Sequence, residues 1–138
     1  MEQRVVVGVG ARRGADGAEV LRLIDSALAA AALPRGAVVL LATLDAKTGE
    51  PGLRSAALAL GVPLVGHPAA LLGGVPVPHP SGAARTAVGT PSVAEAAALA
   101  SAPGGVLLVP KLTSPTVAVA LAAARGRATP AERTGDPT

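Results

Sequence analysis

Short, almost entirely apolar segments alternate along this chain with segments of helical periodicity, and this alternation limits the folds available to it. The predicted strands are Arg4–Val9, Val38–Thr43, Pro63–Val65, Val106–Val109 and Thr116–Leu121. Strands that are apolar on both faces are typical of a parallel sheet covered by helices on both sides. The sequence therefore predicts a single three-layer α/β/α domain with a mainly parallel sheet of about five strands.

Helices are predicted between these strands from apolar periodicity and from end signals. The predicted helices span residues 16–32, 51–60, 69–72 and 92–101. Asp16 and Glu19 have the spacing of a capping box, in which the two side chains bond each other's backbone amides, and Ser92 and Glu95 repeat that spacing. Pro51 suits a first helical turn, and Gly61 suits a helix end.

Composition sets the size of the domain and the content of its core. The chain has 138 residues, which is enough for one domain, and it contains no Phe, Trp or Tyr. We predict a domain over residues 1–124 whose core consists of Val, Leu, Ile and Ala. Residues 125–138 lack an apolar face and are predicted to form a disordered tail.

Several classes of protein and site are disfavoured by the same composition. The chain has no cysteine, which excludes disulfides and thiolate chemistry, and its two histidines, His67 and His79, make a poor metal site. We expect no metal and no cofactor. A net charge of +3 without aromatic residues argues against nucleic-acid binding. No stretch resembles a secretion signal or a membrane span, so we expect a soluble, cytoplasmic protein.

Ligands of open parallel sheets bind outside the carboxyl ends of the strands, and a glycine-rich segment follows the first predicted strand. Gly8, Gly10 and Gly14 would let backbone amides approach an anion, and Arg12 and Arg13 suit carboxylates or phosphates. The alternative is a tight turn with two solvated arginines. The sequence leaves both interpretations open.

A second polar segment follows the second predicted strand. Thr43 and Lys47 are predicted to contact a ligand, and Asp45 and Glu50 are the candidate catalytic acid and base. The alternative is a solvated ion-pair network at the start of the next helix.

Two further candidate binding positions lie later in the chain. Lys111 follows the fourth predicted strand and is either an anchor for ligand carboxylates or a lysine whose stem covers apolar surface. Gly89 and Thr90 precede a predicted helix, whose first turn can receive an anion.

Taken in order, several of these segments resemble one family over roughly residues 4–122. The matching segments are Gly8–Gly14, Ala42–Lys47, Glu50–Leu53, Gly61–Leu64, Gly89–Ala97, Val109–Lys111 and Thr116–Ala120. This pattern resembles the family of CobE and the C-terminal domain of CbiG, which belongs to cobalamin biosynthesis.

The resemblance implies an α/β domain that acts on the corrin pathway. Precorrins carry many acetate and propionate groups around an apolar ring, and the basic side chains named above suit those carboxylates. We therefore expect a carrier or accessory protein that binds a precorrin, with other enzymes of the pathway as further partners. One alternative is an enzyme of the cobalt-precorrin 5A hydrolase type, which opens a lactone and releases a two-carbon fragment. Another is a nucleotide-binding domain that uses the first glycine segment.

Overall fold

A computed structural model describes residues 3–74 and 93–123, and within them strands and helices alternate as the sequence predicts. The elements are β1 (Val5–Ala11), α1 (Gly17–Ala30), β2 (Val38–Leu44), α2 (Pro51–Leu60), β3 (Leu64–His67), α3 (Ala69–Gly73), α4 (Val93–Ala100), β4 (Leu107–Thr113) and β5 (Val117–Ala123). The α/β class and the five-stranded sheet are confirmed. The predicted tail, residues 125–138, lies outside the described residues.

The sheet has the strand order β3-β2-β1-β5-β4. Strands β1, β2 and β3 are mutually parallel, whereas β5 runs antiparallel to both of its neighbours. Only Ser114–Thr116 separates β4 from β5, which is too short for a crossover connection, and the two strands therefore form a hairpin. Strand β4 consequently runs in the same direction as β1.

Helices cover both faces of the sheet. On one face, α1 and α2 pack on valines and leucines of the strands. On the other face, α4 contributes a run of alanines to a second cluster. The second cluster contains Val6, Ala42, Leu72, Ala96, Ala97, Ala98, Ala102 and Ala122. This is the predicted three-layer arrangement.

The ends of the helices agree only partly with the predicted signals. Gly61 ends α2 with φ +73°, as expected of a glycine at this position. Asp16 caps α1 by accepting a hydrogen bond from the amide of Ala18. The predicted capping box is wrong for Glu19, because its carboxylate instead bonds the turn between β4 and β5. That turn offers it several donors, whereas a capping box offers one.

Within the described part of the chain, no helix combines the length and the apolar character needed to cross a membrane.

Candidate functional site

The carboxyl edge of the sheet is the edge at which β1, β2, β3 and β4 end. Among residues 3–74 and 93–123, those predicted to bind a ligand lie near these strand ends or just beyond them. Because β4 runs parallel to β1, the carboxyl end of β4 lies at this edge too. The fold therefore brings the three predicted segments to one edge of the sheet.

The first predicted segment divides into a packed part and an exposed part. Gly8 and Gly10 lie inside β1, which extends to Ala11 and therefore includes the first part of the predicted glycine-rich segment. A Cβ atom on Gly8 would collide with the carbonyl oxygen of Ala94 and lie 2.6 Å from the nitrogen of Ala98. The glycine at position 8 is thus required for the close packing of α4.

The exposed part of this segment is the loop that carries the arginines. Arg12 and Arg13 are both exposed at the carboxyl edge. The amide of Arg12 donates to the carbonyl of Thr116 at 2.9 Å, which ties the loop to the start of β5. The backbone is fixed by the fold, while the guanidinium groups face solvent.

Glu50, a predicted catalytic residue, contacts this same loop. Its Oε1 accepts a hydrogen bond of 2.8 Å from the amide of Gly14, which has φ +78°. This amide, which was predicted to contribute to an anion site, already donates to a carboxylate of the protein. Glu50 therefore holds the arginine loop against the start of α2.

Thr43, which was predicted to contact a ligand, is held inside the sheet. Its side chain is fully buried, and its hydroxyl donates to the carbonyl of Val9 at 2.7 Å. The bond joins β2 to β1 across the parallel pair. Thr43 stabilises the sheet and is inaccessible from the carboxyl edge.

Asp45 and Lys47 follow β2 in a short 3₁₀ turn at the carboxyl edge. Thr48 closes this turn, because its amide and hydroxyl donate to the carbonyl of Asp45 at 3.1 and 2.9 Å. The Asp45 side chain is exposed and lies over Gly66, where a Cβ atom would collide with Oδ1. Lys47 is half-buried. Asp45 and Lys47 are therefore at the same edge of the sheet as Arg12 and Arg13.

Lys111 lies inside β4, so the prediction that it follows the strand is wrong. The strand continues through Pro110, although proline has no amide proton to donate. In the sheet formed by the described residues, however, β4 is one of the two edge strands, and an edge position tolerates proline. The amide of Lys111 donates to Oε2 of Glu95 at 3.0 Å, and the lysine is half-buried.

The remaining predicted positions, Gly89 and Thr90, lie outside the described residues. Across residues 3–74 and 93–123, no group of three or more His, Cys, Asp or Glu side chains is placed to hold a metal ion.

Glu19 makes a contact that the sequence did not indicate. It accepts hydrogen bonds from the hydroxyl of Ser114 and from the hydroxyl and amide of Thr116, the latter two at 2.8 and 3.3 Å. The bond from Ser114, followed by that from Thr116, holds the pKa of Glu19 below its usual value. These partners lie about a hundred residues away in sequence, and only the hairpin brings them together.

A groove of about 460 Å³ lies beside this contact. It is lined by Glu19, Arg22, Leu23, Ser26, Ser114 and Pro115. Of the predicted ligand-binding residues that the structure describes, none lines this groove.

A second contact that the sequence did not indicate joins β3 to the end of α4. Nε2 of His67 lies 2.6 Å from the hydroxyl oxygen of Ser101, and both residues are half-buried. From the sequence, His67 was expected only to be a poor metal ligand.

Comparisons with known proteins identify the fold and its relatives. The family model described as "Cobalamin synthesis G C-terminus" matches residues 5–122. Protein CobE from a Sinorhizobium species is 36% identical over 121 residues, which cover 86% of this chain and 79% of the relative.

Two solved structures are similar as well. The crystal structure of CobE, a protein of the cobalamin biosynthetic pathway, is 31% identical with a TM-score of 0.76 and covers 89% of this chain and 95% of that one. The cobalamin biosynthesis protein chiG from Agrobacterium tumefaciens is 33% identical with a TM-score of 0.65, over 86% of this chain and 96% of that one.

Proposed function

Because this chain belongs to the cobalamin synthesis G C-terminus family, and thus to cobalamin biosynthesis, we propose that it binds a precorrin intermediate as a carrier or accessory protein. The observation that carries the proposal is the placement of Arg12, Arg13, Lys47 and Lys111. Arg12, Arg13 and Lys47 lie just beyond the ends of β1 and β2, and Lys111 lies near the end of β4. All four are therefore at one edge of the sheet. A precorrin carries acetate and propionate groups around its ring, and these carboxylates suit the basic residues at that edge.

The spacing of these residues supports a large ligand. Strand β2 is next to β1, and β4 is two positions from β1 on the other side. With about 4.8 Å between neighbouring strands, the backbones of Lys47 and Lys111 are separated by about 14 Å. A small monoacid bridges only part of this distance, whereas the carboxylates around a macrocycle are spread over it.

The exposure of the arginines supports recognition of carboxylates at the surface. Planar guanidinium groups bind carboxylates in a bidentate manner, and the loop that carries Arg12 and Arg13 is held at Gly14 and at Thr116. A fixed loop loses less conformational freedom when the ligand binds. We place this carrier in the cytoplasm, where other enzymes of the pathway would deliver and remove the ligand.

Titration with uroporphyrin tests the proposal, because this macrocycle carries an acetate and a propionate on each pyrrole. The chain has no Trp or Tyr, so the absorbance change belongs to the macrocycle. We expect saturable binding that weakens with salt, and no binding of the fully esterified macrocycle. Arg12→Ala and Lys47→Ala should each raise Kd about fivefold.

Arg4→Ala is the matched control, because Arg4 is exposed just before β1, at the opposite edge of the sheet, and its loss removes the same charge. It should leave Kd within about twofold of wild type. Equal weakening by Arg4→Ala and Arg12→Ala would mean that only net charge matters, and the proposed site would be wrong.

A second candidate function is lactone opening on cobalt-precorrin 5A, and the exposure of Asp45 beside Lys47 favours it. Asp45 is accessible to a bound ligand, unlike Thr43. Incubation with cobalt-precorrin 5A distinguishes the two functions. A spectral conversion that progresses with time and is lost in Asp45→Asn would indicate catalysis, whereas binding without conversion would indicate a carrier.

A further inference from the structure

Glu95 stands apart among the charged residues of the described chain. Its side chain is fully buried. Among the polar and charged residues that the structure describes, only Thr43 is buried as well. Moving a carboxylate out of water is costly unless hydrogen bonds compensate for the lost hydration. Its Oε2 accepts the amide proton of Lys111 at 3.0 Å. The buried carboxylate is therefore in direct contact with the backbone of a proposed ligand-binding residue.

The backbone at Lys111 is irregular. The pairing of β4 with β5 shifts register between Val109 and Leu112. Val109 and Leu112 both pack with the core under α1, although strict alternation would place them on opposite faces. An extra residue is thus accommodated between them, as in a β-bulge. Bulges at sheet edges commonly redirect a side chain.

The position of Glu95 is set by the close approach of α4 to the sheet. The missing side chain at Gly8 lets the backbone of Ala94 touch β1, and Val93 lies against Gly10. The first turn of α4 is thereby held over the upper part of β1. From that turn, the side chain of Glu95 reaches across β5 to the bulge in β4.

We infer that Glu95 is a positioning residue that fixes the bulge in β4 so that Lys111 presents its ammonium group to a carboxylate of the ligand. This inference rests on the proposed function. Glu95 itself does not touch the ligand, because it is fully buried. It acts through the hydrogen bond that it accepts from the amide of Lys111, and an apolar residue of similar size would leave that amide without this acceptor.

A double-mutant cycle on uroporphyrin binding tests the inference with the full chain. Lys111→Met should raise Kd about fivefold. Glu95→Asp keeps the charge but is one methylene shorter and loses the contact with the amide. It should weaken binding about as much as Lys111→Met, and the double variant should be no weaker than either single variant.

Glu95→Gln is the conservative variant, because its side-chain carbonyl still accepts the amide proton. It should bind within about twofold of wild type. Ile24→Val is the control for lost stability, since Ile24 is fully buried on the opposite face of the sheet. It should lower Tm in far-ultraviolet circular dichroism without changing Kd or the effect of Lys111→Met.

The possible failures are distinguishable. If Glu95→Asp weakens binding by the same factor with and without Lys111, or leaves it unchanged, Glu95 does not position Lys111 and the inference is wrong. Weak binding by Glu95→Gln would also overturn it. If Arg12→Ala and Lys47→Ala do not weaken binding either, the proposed function itself has failed, and the inference fails with it.

Discussion

The two faces of the sheet are packed with side chains of very different size. Under α1 and α2, valines of β1 meet large aliphatic residues such as Ile24 and Leu53, all fully buried. Under α4, glycine and alanine of the strands meet the alanines of the helix. The first face gains stability from buried apolar area, at about 25 cal/mol per Å². The second gains a close approach of backbones.

This difference has a consequence for the candidate site. Large side chains hold a helix away from a sheet, whereas small ones let it come near enough for a side chain of its first turn to reach a neighbouring strand. Glu95 contacts Lys111 in this way. Substitutions that add atoms should therefore destabilise the face with small residues most, and substitutions that remove atoms should destabilise the face with large residues most.

The largest expected effect comes from adding one methyl group to the α4 face. Gly8→Ala places a Cβ atom against the backbone of Ala94, which cannot rotate away as a side chain can. We expect a loss of about 3 kcal/mol or more in the free energy of unfolding, measured by urea denaturation followed by circular dichroism. At Gly10 the added Cβ would lie 3.6 Å from the side chain of Val93, an ordinary contact, and Gly10→Ala should cost less than about 1 kcal/mol. Equal effects at both positions would contradict the comparison.

Removing atoms from the other face should have the next largest effect. Leu53 is fully buried under α2, and Leu53→Ala should cost about 2–5 kcal/mol because it leaves a cavity. Leu58 lies on the same helix but is 83% exposed, and Leu58→Ala should change stability by no more than about 0.5 kcal/mol. Urea denaturation measures both. A Leu53→Ala variant as stable as Leu58→Ala would show that this face does not depend on its large side chains.

A smaller and pH-dependent effect is expected where α1 meets the β4–β5 turn. Hydrogen bonds from Ser114 and Thr116 lower the pKa of Glu19, so the unfolded chain takes up this proton at a higher pH than the folded chain. The contribution of Glu19 to stability is therefore present above its unfolded pKa near 4.5 and is lost as pH falls through the lower folded pKa.

Urea denaturation of wild type and Glu19→Gln from pH 7 down to about pH 3 measures this effect. The difference in stability should be constant above about pH 5.5 and should decrease on acidification. A difference that does not vary with pH would contradict the lowered pKa.

The Asp25–Arg35 ion pair at 2.8 Å provides the comparison, because hydrogen bonding to Arg35 also lowers the pKa of Asp25 while both side chains are about half exposed. Asp25→Asn should remove the pH-dependent contribution of Asp25 to stability and leave the contribution of Glu19 unchanged.

Most of the local structure was predictable from the sequence because its signals are local. Apolar runs located all of the observed strands, and Gly61 located the end of α2. Strand ends were less accurate, since β4 continues past the predicted Val109 to Thr113 and accommodates Pro110 at the edge of the sheet. The direction of β5 was not predicted, although the short Ser114–Thr116 connection contains that information.

The sequence predicted the sheet edge at which these segments lie, but not the surroundings of each residue. The rule that ligands meet the carboxyl ends of parallel strands selected Arg12, Arg13, Asp45 and Lys47, and their segments lie at that edge. The same rule selected Thr43, which the fold buries.

By itself, the sequence determined the class of the fold, the number of strands and the composition of the core, because periodicity and the absence of aromatic residues act within each segment. The tertiary structure decided which polar groups are used inside the protein. It assigned the amide of Gly14 to Glu50, the turn at Ser114 to Glu19 and the amide of Lys111 to Glu95. Such pairings join residues distant in sequence, and a hydrogen bond forms only where the packing of whole elements brings donor and acceptor within about 3 Å.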